Sequence, residues 1–162
     1  MVLSTFLVED REDIRDTLID AMEEIAPLRF VGVAASEADA RAWLSANDGN
    51  WDLAIVDLFL GIGTGFGVLK EVQGRSPRQK VVVLTSYGQQ RVLDHCRQLG
   101  ADEVFDKSQD VEKLVEFCKT HAANLGSMKT LGLITEAANA AEGSDSAGIT
   151  RITGRTGSDR RD

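Results

Sequence analysis

The sequence has 162 residues, of which 43% are apolar and 27% are charged, and its formal net charge is −8. A chain of this length and composition is typical of one globular domain with or without an appendage, and it buries enough surface to fold without a metal or a disulfide framework. The acidic balance argues against direct binding to nucleic acid or to a membrane surface. No apolar run approaches the length of a membrane span, and no secretory signal is visible. We therefore predict a cytoplasmic protein that binds neither nucleic acid nor a membrane directly.

Short runs rich in β-branched and aromatic residues alternate with longer runs of helical periodicity. The short runs predict five strands, namely Leu3–Val8, Phe30–Ala34, Leu53–Val56, Val81–Leu84 and Glu103–Phe105. The fourth is almost entirely valine, which is typical of a strand buried on both faces. Five strand–helix pairs in alternation predict an α/β fold with a five-stranded parallel sheet and helices on both faces.

Apolar residues spaced by three or four predict the helices between these strands. Ser36, with Asp39 three residues later, predicts the start of the second helix, and the third is predicted over Gly65–Gln73. The apolar faces of the first, fourth and fifth helices are Ile14, Leu18, Met22 and Ile25; Val92, Cys96 and Leu99; and Val111, Leu114, Val115 and Cys118.

Residues 127–162 differ in composition from the rest of the chain. They hold five Lys and Arg and five Asp and Glu, whereas residues 1–126 hold 13 and 21 and therefore carry the whole net charge. After Gly126 the sequence has no aromatic residue, no Pro and no Cys. We therefore predict one folded domain over residues 1–126 and a polar, disordered tail over 127–162, with one short helix near residues 129–141.

Polar side chains follow four of the five predicted strands. Right-handed crossovers place the carboxyl ends of parallel strands at one edge of the sheet, where ligands of such folds bind. Residues that carry chemistry at this edge are Glu9, Asp10, Asp57, Thr85 and Lys107.

Three carboxylates gathered at one edge require a cation, because each pair a few ångströms apart repels by roughly 4 kcal/mol at an effective dielectric constant near 20. Ligation by a few carboxylate oxygens suits Mg²⁺, which keeps several waters and prefers a phosphate partner. A hydroxyl and an ammonium opposite such a metal are groups that bind a phosphoryl group.

Five segments of the sequence together resemble the response regulator receiver domain, the chemotaxis-regulator type. They are Phe6–Asp10, Ala54–Asp57, Gly65 eight residues after Asp57, Val82–Ser86 and Gly100–Lys107. The resemblance covers about residues 3–124. It implies the flavodoxin-like strand order 2-1-3-4-5 and a stand-alone receiver of a two-component phosphorelay.

The resemblance also implies the roles of the edge residues. Asp57 corresponds to the acceptor of a phosphoryl group, and Thr85 and Lys107 correspond to the hydroxyl and the ammonium that contact this group. The metal ligands that it implies for Mg²⁺ are Glu9, Asp10, Asp57 and the backbone carbonyl of Phe59.

The same resemblance implies a signalling protein that works through protein partners and catalyses only its own phosphorylation and dephosphorylation. The phosphoryl group comes from a histidine kinase or a histidine phosphotransfer protein. The output passes to a protein target or, in a homodimer, to a second copy of the chain through the face of helix 4, strand 5 and helix 5, or it passes through the tail. Two alternatives stay open: a scaffold that acts without phosphorylation, and a relay or phosphate sink that passes the group to a phosphotransfer protein.

Three positions depart from the family pattern. Ser108 follows the lysine where the family has a proline in a cis peptide, and it is instead a candidate N-cap of the last helix. Val104 stands three residues before the lysine, where the family has a switch aromatic. Gly61 stands where the family has a proline, which predicts a mobile loop without metal.

Overall fold

The computed structural model of the protein describes residues 1–86 and 88–132, and strands and helices alternate throughout this part. The strands are β1 (Leu3–Val8), β2 (Leu28–Ala34), β3 (Leu53–Val56), β4 (Lys80–Thr85) and β5 (Glu103–Asp106). The helices are α1 (Glu12–Ile25), α2 (Glu37–Ala46), α3 (Gly65–Glu71), α4 (Gln90–Gln98) and α5 (Val111–Thr130). None of the helices in the described residues is long and apolar enough to cross a membrane.

The five strands form one parallel sheet in the order β2-β1-β3-β4-β5, which confirms the predicted fold class. β3 is buried at every position and β4 at all but its first residue, because both are interior strands covered on both faces. The chain moves from β1 to β2 in one direction and from β2 to β5 in the other. Right-handed crossovers therefore place α1 on the face opposite α2, α3 and α4.

The side chains between the sheet and α2, α3 and α4 form one continuous apolar core. The Phe6 ring of β1 stacks on the Trp43 ring of α2 with centroids 4.1 Å apart. Leu44 of α2, Val68 of α3 and Cys96 of α4 join the same cluster. Burial raises the pKa of the Cys96 thiol, which keeps it in the neutral form that an apolar core accommodates.

Most of the predicted boundaries are confirmed within two residues. Ser36 accepts a hydrogen bond from Asp39 N–H at 3.1 Å and begins α2 as predicted. β2 begins two residues earlier than predicted, and α3 ends at Glu71 rather than Gln73. Ile25, predicted to lie on the buried face of α1, is half exposed because the helix ends at this residue.

The chain divides into two units, residues 1–124 and residues 125–162, and the division falls inside α5. Within the second unit, α5 runs through Gly126 to Thr130, whose hydroxyl donates to the Gly126 carbonyl at 3.0 Å. The tail and the short helix predicted beyond this point lie mostly outside the described residues. The domain boundary after residue 126 stays a prediction.

A buried polar network closes the edge of the sheet opposite the predicted site. Asp52 is 4% exposed, and its carboxylate accepts hydrogen bonds from Ser4 N–H at 2.8 Å and from Arg78 at 3.1 Å. His121 of α5 is equally buried, and its Nε2 lies 3.0 Å from the Asp52 carbonyl oxygen. Burial lowers the pKa of His121 below 6.5, the nearby Lys80 charge adds to this, and the hydrogen bond to Asp52 opposes it.

The lowered pKa of His121 makes the protein less stable in mild acid. The unfolded chain binds a proton below about pH 6.5 that the folded protein does not yet bind, so stability falls with decreasing pH, by at most about 1.4 kcal/mol per pH unit. We expect urea unfolding to show this loss between pH 7.5 and pH 5.5. His121→Gln is expected to reduce it, whereas His95→Gln, at an exposed position of α4, is expected to keep it. An unchanged pH response in His121→Gln would contradict the assignment.

Candidate functional site

The backbone fixes two of the predicted carboxylates just past the ends of their strands. The Glu9 N–H donates to the Ala34 carbonyl at 3.0 Å, and the Asp57 N–H donates to the Val8 carbonyl at 3.0 Å. The hydrogen-bond pattern of the sheet thus continues one residue beyond β1 and β3. Both side chains are therefore held at the carboxyl edge, buried, with 2% of Glu9 and 8% of Asp57 exposed.

Three carboxylates converge at this edge. Glu9, Asp10 and Asp57 each offer an oxygen atom, and these atoms lie within 4.8 Å of one another. Glu9 and Asp57 are buried and Asp10 is half buried, so solvent screens their mutual repulsion poorly. A set of hard anionic oxygens at this spacing fits Mg²⁺ and does not fit a soft metal ion.

Lys107 lies between two of these carboxylates. Its Nζ donates to Glu9 Oε1 at 2.7 Å and to Asp57 Oδ2 at 3.0 Å. Burial alone would lower the pKa of Lys107, but the hydrogen bonds to Glu9 and Asp57 and their negative charges outweigh it and raise the pKa. Lys107 is therefore protonated at neutral pH, and the stability that its charge contributes is lost only as the pH rises above about 10.5.

Thr85 is brought to the same edge by the pairing of β4 with β5. It is the last residue of β4, is 1% exposed, and pairs with Asp106. Its carbonyl accepts the Lys107 N–H at 3.0 Å. The hydroxyl residue and the lysine of the predicted site are thus held by neighbouring strands.

The loop after Asp57 has an internal backbone bridge and a hydrogen bond to Asp10. Phe59 and Thr64 form an antiparallel bridge, which folds the segment between them into a tight turn. The Gly61 N–H donates to Asp10 Oδ2 at 2.9 Å. Sequence analysis missed this contact, because nothing in the sequence links a loop amide to a carboxylate 51 residues earlier.

The positions that depart from the family pattern have their own local structure. Ser108 donates its N–H and its hydroxyl to Asp106 Oδ1, at 2.7 and 2.6 Å, and these hydrogen bonds lower the pKa of Asp106. The prediction that Ser108 caps the last helix is wrong, because α5 begins at Val111 and Ser108 lies in the turn that follows Asp106, the last residue of β5. No peptide bond between described residues is cis.

Val104 is half buried and packs on the core beneath α4. The neighbouring Phe105 is buried, and its ring meets the Phe117 ring of α5 edge to face, with centroids 6.0 Å apart. Successive residues of a strand face opposite sides of the sheet. Phe105 therefore cannot take the place of an aromatic residue at position 104.

Comparison with known proteins gives a family match and several relatives. A family model described as the response regulator receiver domain matches residues 5–119. The chain is 34% identical over 109 residues to the photosynthetic apparatus regulatory protein RegA of Rhodovulum sulfidophilum, covering 66% of this chain and 56% of that protein. It is 34% identical over 86 residues to the transcriptional activator DevR/DosR of Mycobacterium tuberculosis, covering 53% of this chain and 39% of that protein.

The match thus spans only 39% to 56% of the length of these two curated relatives. Among solved structures, the response regulator domain of Thermotoga maritima CheB superposes with a TM-score of 0.65 at 17% identity. The match covers 75% of this chain and 96% of the CheB domain. At this identity the likeness concerns the fold alone.

Proposed function

The chain belongs to the response regulator receiver domain family, and we propose that it is a phospho-accepting switch of a two-component or phosphorelay system. In this proposal Asp57 accepts a phosphoryl group from a phosphohistidine of a kinase or a phosphotransfer protein. The chain catalyses only its own phosphorylation and dephosphorylation. The site holds no phosphate donor among its residues, so a partner supplies the group.

One observation supports this proposal above the others. Lys107 Nζ lies within hydrogen-bond distance of Asp57 and Glu9, and Asp10 completes a cluster of three carboxylates at the same edge. A cation and an acidic cluster that share one nucleophilic carboxylate are the elements that phosphoryl transfer requires. An N-cap or a surface ion pair would not need three acids and a partly buried ammonium together.

In the proposed reaction, a carboxylate oxygen of Asp57 forms a bond to phosphorus as the phosphorus–nitrogen bond of the donor breaks. The imidazole of the donor leaves with the electron pair of that bond. Glu9, Asp10, Asp57 and the Phe59 carbonyl would hold Mg²⁺, which supplies neutralisation of the charge on the transferring oxygens when bound. Lys107 neutralises the same charge from the other side.

The proposed output involves the face formed by α4, β5 and α5. Thr85 ends β4 directly before the segment that leads to α4, so a hydroxyl that turns toward the phosphoryl group would alter this segment. A shift from about 1% to 99% of the active form needs roughly 5.5 kcal/mol of differential stabilisation. Charge-assisted contacts of a buried phosphoryl group are of the strength needed to supply much of it. The output partner is then a protein target or a second copy of the chain.

Intact mass after incubation with acetyl phosphate tests the acceptor. We expect the wild type to gain one phosphoryl group in the presence of Mg²⁺ and none after chelation of the metal. Asp57→Asn is expected to gain none, because the amide is not a nucleophile of comparable strength.

Asp20→Asn serves as the matched control, since Asp20 is an exposed aspartate of α1, and it should be modified like the wild type. Equal modification of Asp57→Asn and the wild type would place the phosphoryl group elsewhere. A wild type that binds Mg²⁺ but accepts no group from acetyl phosphate or from a phosphorylated kinase would favour the scaffold alternative.

A further inference from the structure

The glycines of the segment Gly61–Gly67 alternate with other residues, and the acidic cluster explains only part of this pattern. Gly65 lies against the backbone of Asp57 and Leu58. A side chain at Gly63 or at Gly67 would instead overlap Glu37, the first residue of α2. Two of the four glycines therefore make room for one acidic side chain that is not part of the site described above.

Glu37 binds the loop between β3 and α3, residues 57–64, through both its backbone and its side chain. Its Oε1 accepts the Thr64 N–H at 3.0 Å, and its own N–H donates to the Ile62 carbonyl at 3.2 Å. The Glu37 side chain is only 26% exposed. A partly buried carboxylate that accepts a backbone N–H holds that part of the loop firmly.

The residue that Glu37 binds is the one that pairs with Phe59. The hydrogen bond of the Phe59–Thr64 bridge is made by the flanking residues, from Gly65 N–H to the Leu58 carbonyl at 2.8 Å. In an antiparallel pair of this type, the polar backbone groups of the two paired residues face away from each other. Glu37 therefore holds Thr64 from one side, while the backbone of Phe59 faces the other side.

The carboxylate of Glu37 is itself held in place by Arg41. Arg41 Nη1 lies 3.4 Å from Glu37 Oε2, and its Nε donates to Glu71 Oε1 of α3 at 3.0 Å. The contact between Glu37 and the loop is thus tied to both helices that flank it.

We propose that Glu37 is a positioning residue for the acidic cluster. By fixing Thr64, it sets the position of the Phe59 carbonyl and of the Gly61 N–H that contacts Asp10, and so favours the loop conformation that binds Mg²⁺. The proposal rests on the function proposed above, in which the Phe59 carbonyl is a ligand. It gives Gly63 and Gly67 a shared reason: their missing side chains leave space for the Glu37 side chain, next to its Cβ at Gly63 and next to its carboxylate at Gly67.

Two substitutions of Glu37 separate its hydrogen bond from its charge. Glu37→Ala removes the acceptor, and we expect hydrogen exchange of the Thr64 amide to accelerate at least about tenfold in metal-free buffer. We also expect the Kd for Mg²⁺, measured by calorimetry, to rise about tenfold, as for loss of other groups that orient metal ligands. Glu37→Gln keeps an acceptor oxygen and is expected to leave both quantities within about threefold of the wild type.

Gly67→Ala tests the same contact without changing Glu37. Its new methyl group overlaps the Glu37 carboxylate, which is the far end of a flexible side chain and can move away, and alanine itself is favourable within α3. Exchange of the Thr64 amide and the Kd for Mg²⁺ should change as in Glu37→Ala. In the Glu37→Ala background, Gly67→Ala should have no further effect, because the group that it displaces is gone.

Each outcome distinguishes this inference from the proposed function. If the wild type binds Mg²⁺ and Glu37→Ala binds it equally well, the positioning role is overturned and the proposed function stands. If Glu37→Gln weakens binding as much as Glu37→Ala, the charge rather than the hydrogen bond matters, and the role is also overturned. A wild type that binds no Mg²⁺ overturns the proposed function and the inference with it. Urea midpoints of Glu37→Gln and Gly67→Ala that equal the midpoint of the wild type confirm that these variants are folded.

Discussion

Replacing Lys107 by Met is expected to lower the free energy of unfolding by about 3 kcal/mol in Mg²⁺-free buffer. The Lys107 ammonium donates to Glu9 and Asp57, and the side chains of these acids are only 2% and 10% exposed. Without the ammonium, two buried carboxylates face each other and Asp10 with no cation between them. Urea unfolding of the wild type and the variant in the presence of a chelator measures this loss.

Addition of saturating Mg²⁺ should reverse about half of the destabilisation of Lys107→Met relative to the wild type. A ligand that binds only the folded state stabilises it by mass action, and the variant site has lost a positive charge that opposes a divalent cation. We therefore expect the variant to bind Mg²⁺ about tenfold more tightly than the wild type, which corresponds to about 1.4 kcal/mol. Accumulation of the phosphoryl adduct should nonetheless fall, because the ammonium no longer neutralises the transferring group.

Lys113→Met is the matched control for this prediction. Lys113 is also on the carboxyl side of β5, but it lies in α5 with a 75% exposed side chain, 3.5 Å from Asp110. Loss of such an exposed pair changes stability by less than about 1 kcal/mol. If Lys107→Met and Lys113→Met unfold at the same urea concentration without Mg²⁺, the ammonium does not hold the acidic cluster together.

The order of the elements was predictable because the periodicity of this chain is strong. The valine run of β4 and the apolar run of β3 match strands buried on both faces. The start of β2 was missed because Leu28 and Arg29 follow Pro27 at the edge of the sheet, where pairing with β1 rather than a sequence pattern extends the strand. The strand order itself came from the resemblance and not from periodicity.

The meeting of the predicted site residues was expected for a topological reason. Glu9, Asp57, Thr85 and Lys107 all lie at or just past the ends of parallel strands, and one edge of the sheet collects these ends whatever the details of packing. The prediction was wrong where one residue type suits two local structures. Ser108 suits an N-cap, but it pairs with Asp106 in a turn and the helix begins three residues later.

The contacts of Glu37 had no signal in the sequence. The sequence indicates that Glu37 is an exposed acid in the first turn of a helix, where a negative charge is favourable because of the helix dipole. Its carboxylate accepts a hydrogen bond from Thr64 N–H, which is 27 residues away in the sequence. Whether the two groups come within hydrogen-bond distance depends on how α2 packs beside α3. Contacts between a helix terminus and a loop follow from tertiary structure, whereas alternation of strands and helices follows from local sequence.

Gly65→Ala is expected to destabilise the protein by about 3 kcal/mol. A Cβ atom at this position would overlap the carbonyl oxygen of Asp57 and would lie 2.9 Å from Leu58 Cα and 3.0 Å from a methyl group of Val56. Two of these atoms are backbone, so relief of the overlap requires movement of the segment that carries the acceptor. We therefore also expect weaker binding of Mg²⁺, since Asp57 would shift away from the other two carboxylates.

Gly74→Ala provides the comparison that isolates this overlap. A Cβ atom at Gly74 meets no atom within 4 Å, so this substitution removes a glycine from the unfolded chain at no steric cost and should be neutral or slightly stabilising. Urea unfolding of both variants, with calorimetry of Mg²⁺ binding, separates the loss of a glycine from the loss of its position. Equal midpoints for the two variants would mean that α3 can move away from the Asp57 backbone without cost, and the close packing of α3 would then not be what sets the position of the acceptor.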